Sequence, residues 1–267
     1  MNTEVIAIIN NKGGVGKTTS ASGLGYSFGK KDKRVLLIDT DPQGNLTRAF
    51  GYEPKDKPGK SLYNALKATF DKTGEHPCSF VVTTSYPNID LLSGDDRLAT
   101  IRTELESRLQ QFDFIYKNMI QQIIELSKYD IVLIDTSPSV GGENTQVLMS
   151  SNWVIIPTTT SRNSVEGIDQ SIGFYQNCRN INTSLNLAGV LLNMVVPRSA
   201  VAKDIVPTIK GIYGSDLFKT FIQRDAQVEQ AEWNGIPVNE YNKNTRAAQE
   251  YLELAEEVLL RIGNKAG

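Results

Sequence analysis

Apolar residues in this chain fall into short continuous runs, separated by longer stretches with helical periodicity. Val5–Asn10, Val35–Asp39, Ile131–Asp135, Val154–Pro157, Leu187–Asn193 and Leu217–Ile222 are rich in Val, Ile and Leu, the pattern of strands covered on both faces. Lys17–Gly29, the neighbourhood of Leu62–Thr69, and Ala247–Ile262 read as helices, with further helices between the later strands. Ile101, Leu105, Leu109, Phe112, Ile115, Met119, Ile123 and Leu126 recur at three- and four-residue steps, which predicts one or two amphipathic helices. The Lys-, Pro- and Gly-rich stretch Glu53–Lys60 reads as an excursion between elements. The alternation of strand and helix, with no internal repeat, predicts an α/β fold: a mainly parallel twisted sheet with helices on both faces.

Composition sets the scale. At 267 residues, 40% hydrophobic and 22% charged, the chain can bury one large core, so residues 1–267 are expected to form a single domain. Cys78 and Cys178 are far apart and fit no metal or redox spacing, and the sole histidine, His76, precedes Pro77. That pattern argues against a disulfide framework or a zinc site. The run at Val5 is too short for a signal peptide and no stretch approaches membrane-spanning length, so a cytoplasmic location is expected.

Chemistry enters where the first apolar run ends. Asn10-Asn11-Lys12-Gly13-Gly14-Val15-Gly16-Lys17-Thr18-Thr19 is a glycine-rich loop closing on Lys-Thr-Thr, the pattern that wraps phosphates in backbone N–H groups. Lys17 meets their charge, Thr18 is placed to bind Mg²⁺, and Thr19 is expected to reach the α-phosphate. The loop departs from the ordinary pattern in having Asn11, a residue tolerant of the left-handed conformation, at the usual first glycine, and a second lysine, Lys12. Lys12 reads either as a solvated loop lysine or as a cation directed at a nucleotide in a facing copy. Two later runs end in acids: Val35–Asp39 continues as Thr40-Asp41-Pro42-Gln43-Gly44-Asn45, and Ile131–Asp135 as Thr136-Ser137-Pro138. Ligands sit beyond the carboxyl ends of strands in such sheets, so Asp39, Asp41 and Asp135 should point at the loop, Asp39 and Asp41 from the same side. Asp39 and Asp135 are expected to hold Mg²⁺ through water, and Asp41 either orients the attacking water or caps the turn before Pro42.

These segments resemble the deviant Walker A, A′ and B motifs of the ParA/Soj/MinD family of dimerising P-loop ATPases. The likeness lies in Lys12–Thr19, Asp39–Asn45 and Ile134–Gly142, and the Pro-Gln-Gly-Asn tail leans toward the partition branch. Ser61–Leu66, Asn88–Ser93 and Gly189–Met194 are similar to family stretches too, so the resemblance spans nearly the whole chain. It implies hydrolysis of ATP with Mg²⁺, a homodimer in the ATP state, Lys12 acting across that dimer much as an arginine finger does, and Asp41 as the residue that activates water. Asn193 matches a position that hydrogen-bonds adenine. The later base-contacting loop departs from the family's Ile-Pro-Arg, reading Ile222-Gln223-Arg224, which gives up a rigid φ and adds an N–H.

The resemblance also implies nonspecific DNA binding by the ATP dimer and reset by a ParB-like centromere-binding partner, hence a nucleoid-associated protein. The net charge of −2 gives no global attraction for DNA, so a local patch must supply it. Arg198, Lys203, Lys210, Lys219 and Arg224 are the candidates, and each also reads as an ordinary solvated side chain. A MinD-like membrane regulator would end in a basic amphipathic helix, whereas Tyr251–Ile262 has an acidic polar face. An electron carrier of the nitrogenase-reductase type would need cluster cysteines beside the switch strands. A partition ATPase with its own helix-turn-helix domain would carry an N-terminal segment ahead of the loop. A scaffold that positions a non-DNA cargo under nucleotide control remains as the alternative.

Overall fold

A computed structural model describes residues 3–53, 59–101, 114–138, 142–161 and 164–265. Leu105, Leu109 and Phe112 of the amphipathic stretch lie outside the described residues, as does part of Ile134–Gly142.

The strands are β1 (Glu4–Ile8), β2 (Val35–Asp39), β3 (Val82–Thr83), β4 (Ile89–Leu92), β5 (Ile131–Asp135), β6 (Trp153–Thr159) and β7 (Asn186–Asn193). They form one sheet in the order β3-β4-β2-β5-β1-β6-β7, parallel throughout except for the β3–β4 pair. The helices are α1 (Lys17–Lys30), α2 (Asn45–Ala49), α3 (Leu62–Asp71), α4 (Ile115–Leu126), α5 (Gly142–Met149), α6 (Ser164–Arg179), α7 (Ala200–Tyr213), α8 (Ala226–Trp233), α9 (Val238–Tyr241) and α10 (Arg246–Lys265). The predicted α/β architecture is therefore the observed one.

Strand period explains the two cores. Val5, Ala7, Leu36, Ile38, Val132 and Ile134 face one layer, with Leu66, Met119 and Ile123 from α3 and α4. Ile6, Ile8, Val35, Leu37, Ile131 and Leu133 face the other, with Leu24, Phe28, Leu254 and Val258 from α1 and α10. Successive residues of a strand point to opposite faces, so a run apolar at every position needs cover on both. The apolar stripe of α10 is thus spent on the core, and its acids Glu253, Glu256 and Glu257 belong to the polar side. No helix among the described residues is long and apolar enough to cross a membrane.

Leu217–Ile222 departs from expectation. It runs beside β7 but forms only the isolated bridges Val190–Leu217 and Val195–Gln223. Phe218 and Ile222 N–H groups donate to the Val190 and Leu192 carbonyls at 2.9 Å, and between them the segment turns to α10: Lys219 and Thr220 N–H groups each donate to Glu257 at 2.9 Å, and Arg261 donates to the Leu217 carbonyl at 2.6 Å. Sequence reading also missed β3 and β4, too short to carry a pattern of their own.

Helix α1 approaches α10 closely at Gly23, where an added Cβ would fall 2.6 Å from the ring of the fully buried Tyr251. Gly23→Val should therefore lower stability by about 1–3 kcal/mol through overpacking, read as a reduced Tm with little change in helical content. An unchanged Tm would mean that the contact is loose.

Candidate nucleotide site

The loop between β1 and α1 is shaped by its glycines and pinned from three sides. Gly14 and Gly16 have φ of 72° and 82°, left-handed values that a side chain would strain. Gly16 is the N-cap of α1 with no side-chain capping bond, so the first N–H groups of the helix stay available to an anion. Asn11 is not among the residues with positive φ, contrary to expectation. Asn10 does the local work instead: its side chain accepts from Lys12 N–H at 2.8 Å and donates to the Pro157 carbonyl at 2.7 Å, tying the loop to β6.

The two lysines have opposite environments. Lys17 is 6% exposed, and its ammonium reaches the Lys12 carbonyl at 3.4 Å. Burial lowers its pKa, and the charges of Asp135 and Asp41 oppose that shift. Lys12 is exposed and its ammonium lies 3.1 Å from the Ser161 hydroxyl.

Parallel pairing of β2 with β5 puts Asp39 directly beside Asp135 in register, both fully buried. They are held differently. Asp39 accepts from Asp41 N–H at 3.1 Å, Thr47 N–H at 2.8 Å and the Thr47 hydroxyl at 2.6 Å. Thr47 in turn accepts from Gly94 N–H at 2.9 Å. Both Asp135 oxygens are buried without a hydrogen-bond partner, although the Thr18 hydroxyl is near enough to favour the charged form. Burial, then the neighbouring Asp39, pushes the Asp135 carboxyl well above the usual range. Burial raises Asp39 to about 6, against the pull of its Thr47 bonds. An orphaned buried carboxylate next to a threonine hydroxyl suits a cation, and this donor set of hard oxygens fits Mg²⁺. Among the described residues no group of three or more His, Cys, Asp or Glu is placed to hold a metal ion by itself.

Asp41 does not continue the strand. β2 ends at Asp39, and the Asp41 side chain accepts from Gln43 N–H at 2.9 Å, so alternation does not govern its direction and the structure shows it capping its turn. Asn193 is 2% exposed and its amide is committed to the loop. It donates toward the carbonyls of Val15 and Gly16 at 3.2 and 3.3 Å and the Ser20 hydroxyl at 3.2 Å, and accepts from Met194 N–H at 2.9 Å. It therefore braces the phosphate loop. The N–H that Gln223 adds has a partner: Glu250 accepts from Gln223 N–H at 2.7 Å and from its side-chain amide at 2.8 Å, which fixes this loop without proline.

Two cavities adjoin the loop. One of about 400 Å³ is lined by Thr19, Asn193, Met194, Gln223, Asp225 and Tyr251, among others; one of about 320 Å³ lies between α1, α2 and α8, reaching Thr18, Ser22 and Arg48. Glu232 lines both. Glu232 and Thr47 were absent from the sequence reading, being distant in sequence from any motif or of unremarkable type, and Asn10 entered it as a loop residue with no role assigned.

The basic candidates do not form one group. Lys203 and Lys210 are exposed on α7, and Arg198 is exposed in the turn before it. Arg224 is ion-paired with Glu229 at 3.6 Å beside the larger cavity, and Lys219 sits in the segment bound to α10.

A parallel sheet with a glycine loop opening a helix, a buried lysine and strand-end acids defines a P-loop nucleotide-binding α/β protein. The AAA-domain family model matches residues 3–187. The chain is 32% identical to the sporulation initiation inhibitor protein Soj of Bacillus subtilis, over 96% of this chain and 98% of that protein. It is 30% identical to the chromosome partitioning protein ParA of Caulobacter vibrioides, over 96% and 94%. Among solved structures it is similar to the cobyrinic acid a,c-diamide synthase of Mycobacterium smegmatis with bound ADP and magnesium, at 26% identity and a TM-score of 0.81, over 100% of this chain and 97% of that one. The chain belongs to the Soj/ParA family of partitioning ATPases.

The raised carboxyls make the magnesium-free fold sensitive to pH. Asp39 holds its proton more tightly folded, at about 6, than unfolded. Its contribution is therefore most favourable below an unfolded value of roughly 4, declines as pH rises through about 6, and is level above that, a swing on the order of 3 kcal/mol. Unfolding free energies in chelator should show wild type losing stability relative to Asp39→Asn between pH 4 and 7. A constant difference between the two would contradict the assignment.

Proposed function

We propose that this chain is an ATPase for DNA partitioning: ATP joins two copies face to face, the dimer binds DNA without sequence preference, and a ParB-like centromere-binding partner triggers hydrolysis that resets it. The observation that carries the reading is the contrast within one loop, a buried Lys17 committed to its own site and an exposed Lys12 free to serve another. The N–H groups of Gly13, Gly14, Val15, Gly16, Lys17 and Thr18 cradle the β- and γ-phosphates, and Thr19 serves the α-phosphate. Magnesium, when bound, neutralises phosphate charge; Thr18 and Asp135 would hold it, with Asp39 behind them. Asp41, partly exposed at the turn, exchanges its capping bond for the attacking water. Lys12 enters from the facing copy and stabilises charge on the transferring phosphoryl group. Its side chain leaves Ser161, a bond between exposed groups that costs little to give up.

DNA binding falls to Arg198, Lys203 and Lys210, the exposed cations on and before α7. Arg224 and Lys219 are the weaker candidates because of their surroundings. The protein acts in the cytoplasm on the nucleoid. A scaffold for a non-DNA cargo would share every step except DNA binding, so a DNA pull-down with and without ATP separates the two.

Three substitutions should behave differently in gel filtration and hydrolysis assays with Mg-ATP. Lys17→Ala loses nucleotide; Lys12→Ala keeps nucleotide, stays monomeric and loses about 10³-fold or more in hydrolysis; Asp41→Ala accumulates as an ATP dimer. A Lys12→Ala protein that dimerises and hydrolyses normally ends the reading. On DNA, Arg198→Ala should weaken ATP-dependent binding and reduce the slope of log affinity against log salt by about 1. An unchanged slope removes Arg198 from the interface.

A further inference from the structure

The Thr19 hydroxyl, at the start of α1, donates to Glu232 at 2.5 Å, a bond between the phosphate loop and the far end of the chain. Glu232 is exposed near the end of α8 and lines both cavities that adjoin the loop. The other acids of the larger cavity are engaged elsewhere. Asp225 caps α8 by accepting from Gln227 N–H at 3.0 Å, and Glu229 pairs with Arg224 at 3.6 Å. Nearby Glu250 is bound to Gln223. Glu232 is thus the carboxylate of this wall that reaches the loop.

A hydroxyl has one proton to donate. While Thr19 gives it to Glu232, it cannot give it to a phosphate oxygen, and a carboxylate in that place also repels the phosphate. We propose that Glu232 is a latch that lowers nucleotide affinity: it occupies the Thr19 hydroxyl in the nucleotide-free chain, and a nucleoside di- or triphosphate must displace it to bind. This rests on the nucleotide reading above and adds a residue outside every motif to the control of that site. It also gives α8 a part in the cycle, because releasing Thr19 frees the end of that helix from α1.

The test is equilibrium binding of ADP and of a nonhydrolysable ATP analogue to wild type, Glu232→Gln, Glu229→Gln, Thr19→Val and the double variant Thr19→Val with Glu232→Gln. Glu232 is exposed, so the variants should fold, which circular dichroism melts will check. Glu232→Gln should bind both nucleotides about tenfold more tightly than wild type, the size expected for removing a charged competitor for one hydrogen bond. Glu229→Gln removes the same charge from the same helix without touching Thr19 and should gain less than half as much. In the Thr19→Val background the gain from Glu232→Gln should shrink by more than half. Equal or weaker binding by Glu232→Gln, or an equal gain in Glu229→Gln, overturns the latch. A wild-type chain that binds neither nucleotide overturns the nucleotide reading itself.

Discussion

The site depends on one constraint: β2, β5 and β1 run parallel and in register, so the groups at their carboxyl ends share a space with almost no water. Pairing of Asp39 with Asp135 follows from the same ladder that buries Leu37 beside Leu133. Two carboxyls side by side in such a place cannot both ionise cheaply, and a buried lysine across from them is likewise disfavoured as a cation. Each group is tolerable only because another charge is close. Such an arrangement suits a dication together with the anionic phosphates it accompanies.

The two acids divide that task unequally. Asp39 is tied down by Thr47 and by the turn at Asp41, and so fixes where α2 begins relative to the sheet. Asp135 has only the nearby Thr18 hydroxyl and the Lys17 charge to favour its ionised form. A mutation at Thr47 would act on the same machinery at one remove, through the bonds by which its N–H and hydroxyl carry Asp39. On the opposite side of the loop Asn193 plays the equivalent supporting part, donating to the Val15 carbonyl and sharing the Gly16 carbonyl with Ser20 N–H.

Legibility in the sequence followed the length scale of the interaction. The doubly covered strands announced themselves because every position is apolar, and the loop did so because glycines and lysine at fixed spacing have few other uses. Leu217–Ile222 misled only in part: Phe218 and Ile222 do pair with β7, but Glu257 and Arg261, some forty residues away and invisible to local pattern, take the backbone groups of Leu217, Lys219 and Thr220. Asp41 lies close enough to Lys17 and Asp135 for its charge to act on both, though it gets there through the turn after β2 and not by strand alternation. Asn193 was placed correctly at the end of β7, yet its amide is spent on the loop, since a side chain's donors are allotted by three-dimensional neighbours. Gln223 shows the converse: the N–H gained by losing proline could be anticipated, and only the fold could supply Glu250 to receive it.

The different burial of the two loop lysines bears on how association and catalysis can be joined. An exposed ammonium facing an opposite charge at 4 Å gains about 1 kcal/mol in water, and about 4 kcal/mol where protein surrounds the pair. Lys12, open to solvent beside Ser161, has most of its electrostatic value unspent in the single chain. Lys17, already desolvated, has spent its own on Asp135 and Asp41 and gains little more from a second subunit. A loop with only Lys17 could hold nucleotide but would give a partner no reason to approach. In the proposed dimer, a Lys12 released from Ser161 would find the phosphates of the other copy its most favourable place once water is squeezed out between them. Triphosphate offers more charge there than diphosphate, so in the proposed dimer hydrolysis would remove part of the attraction between the copies.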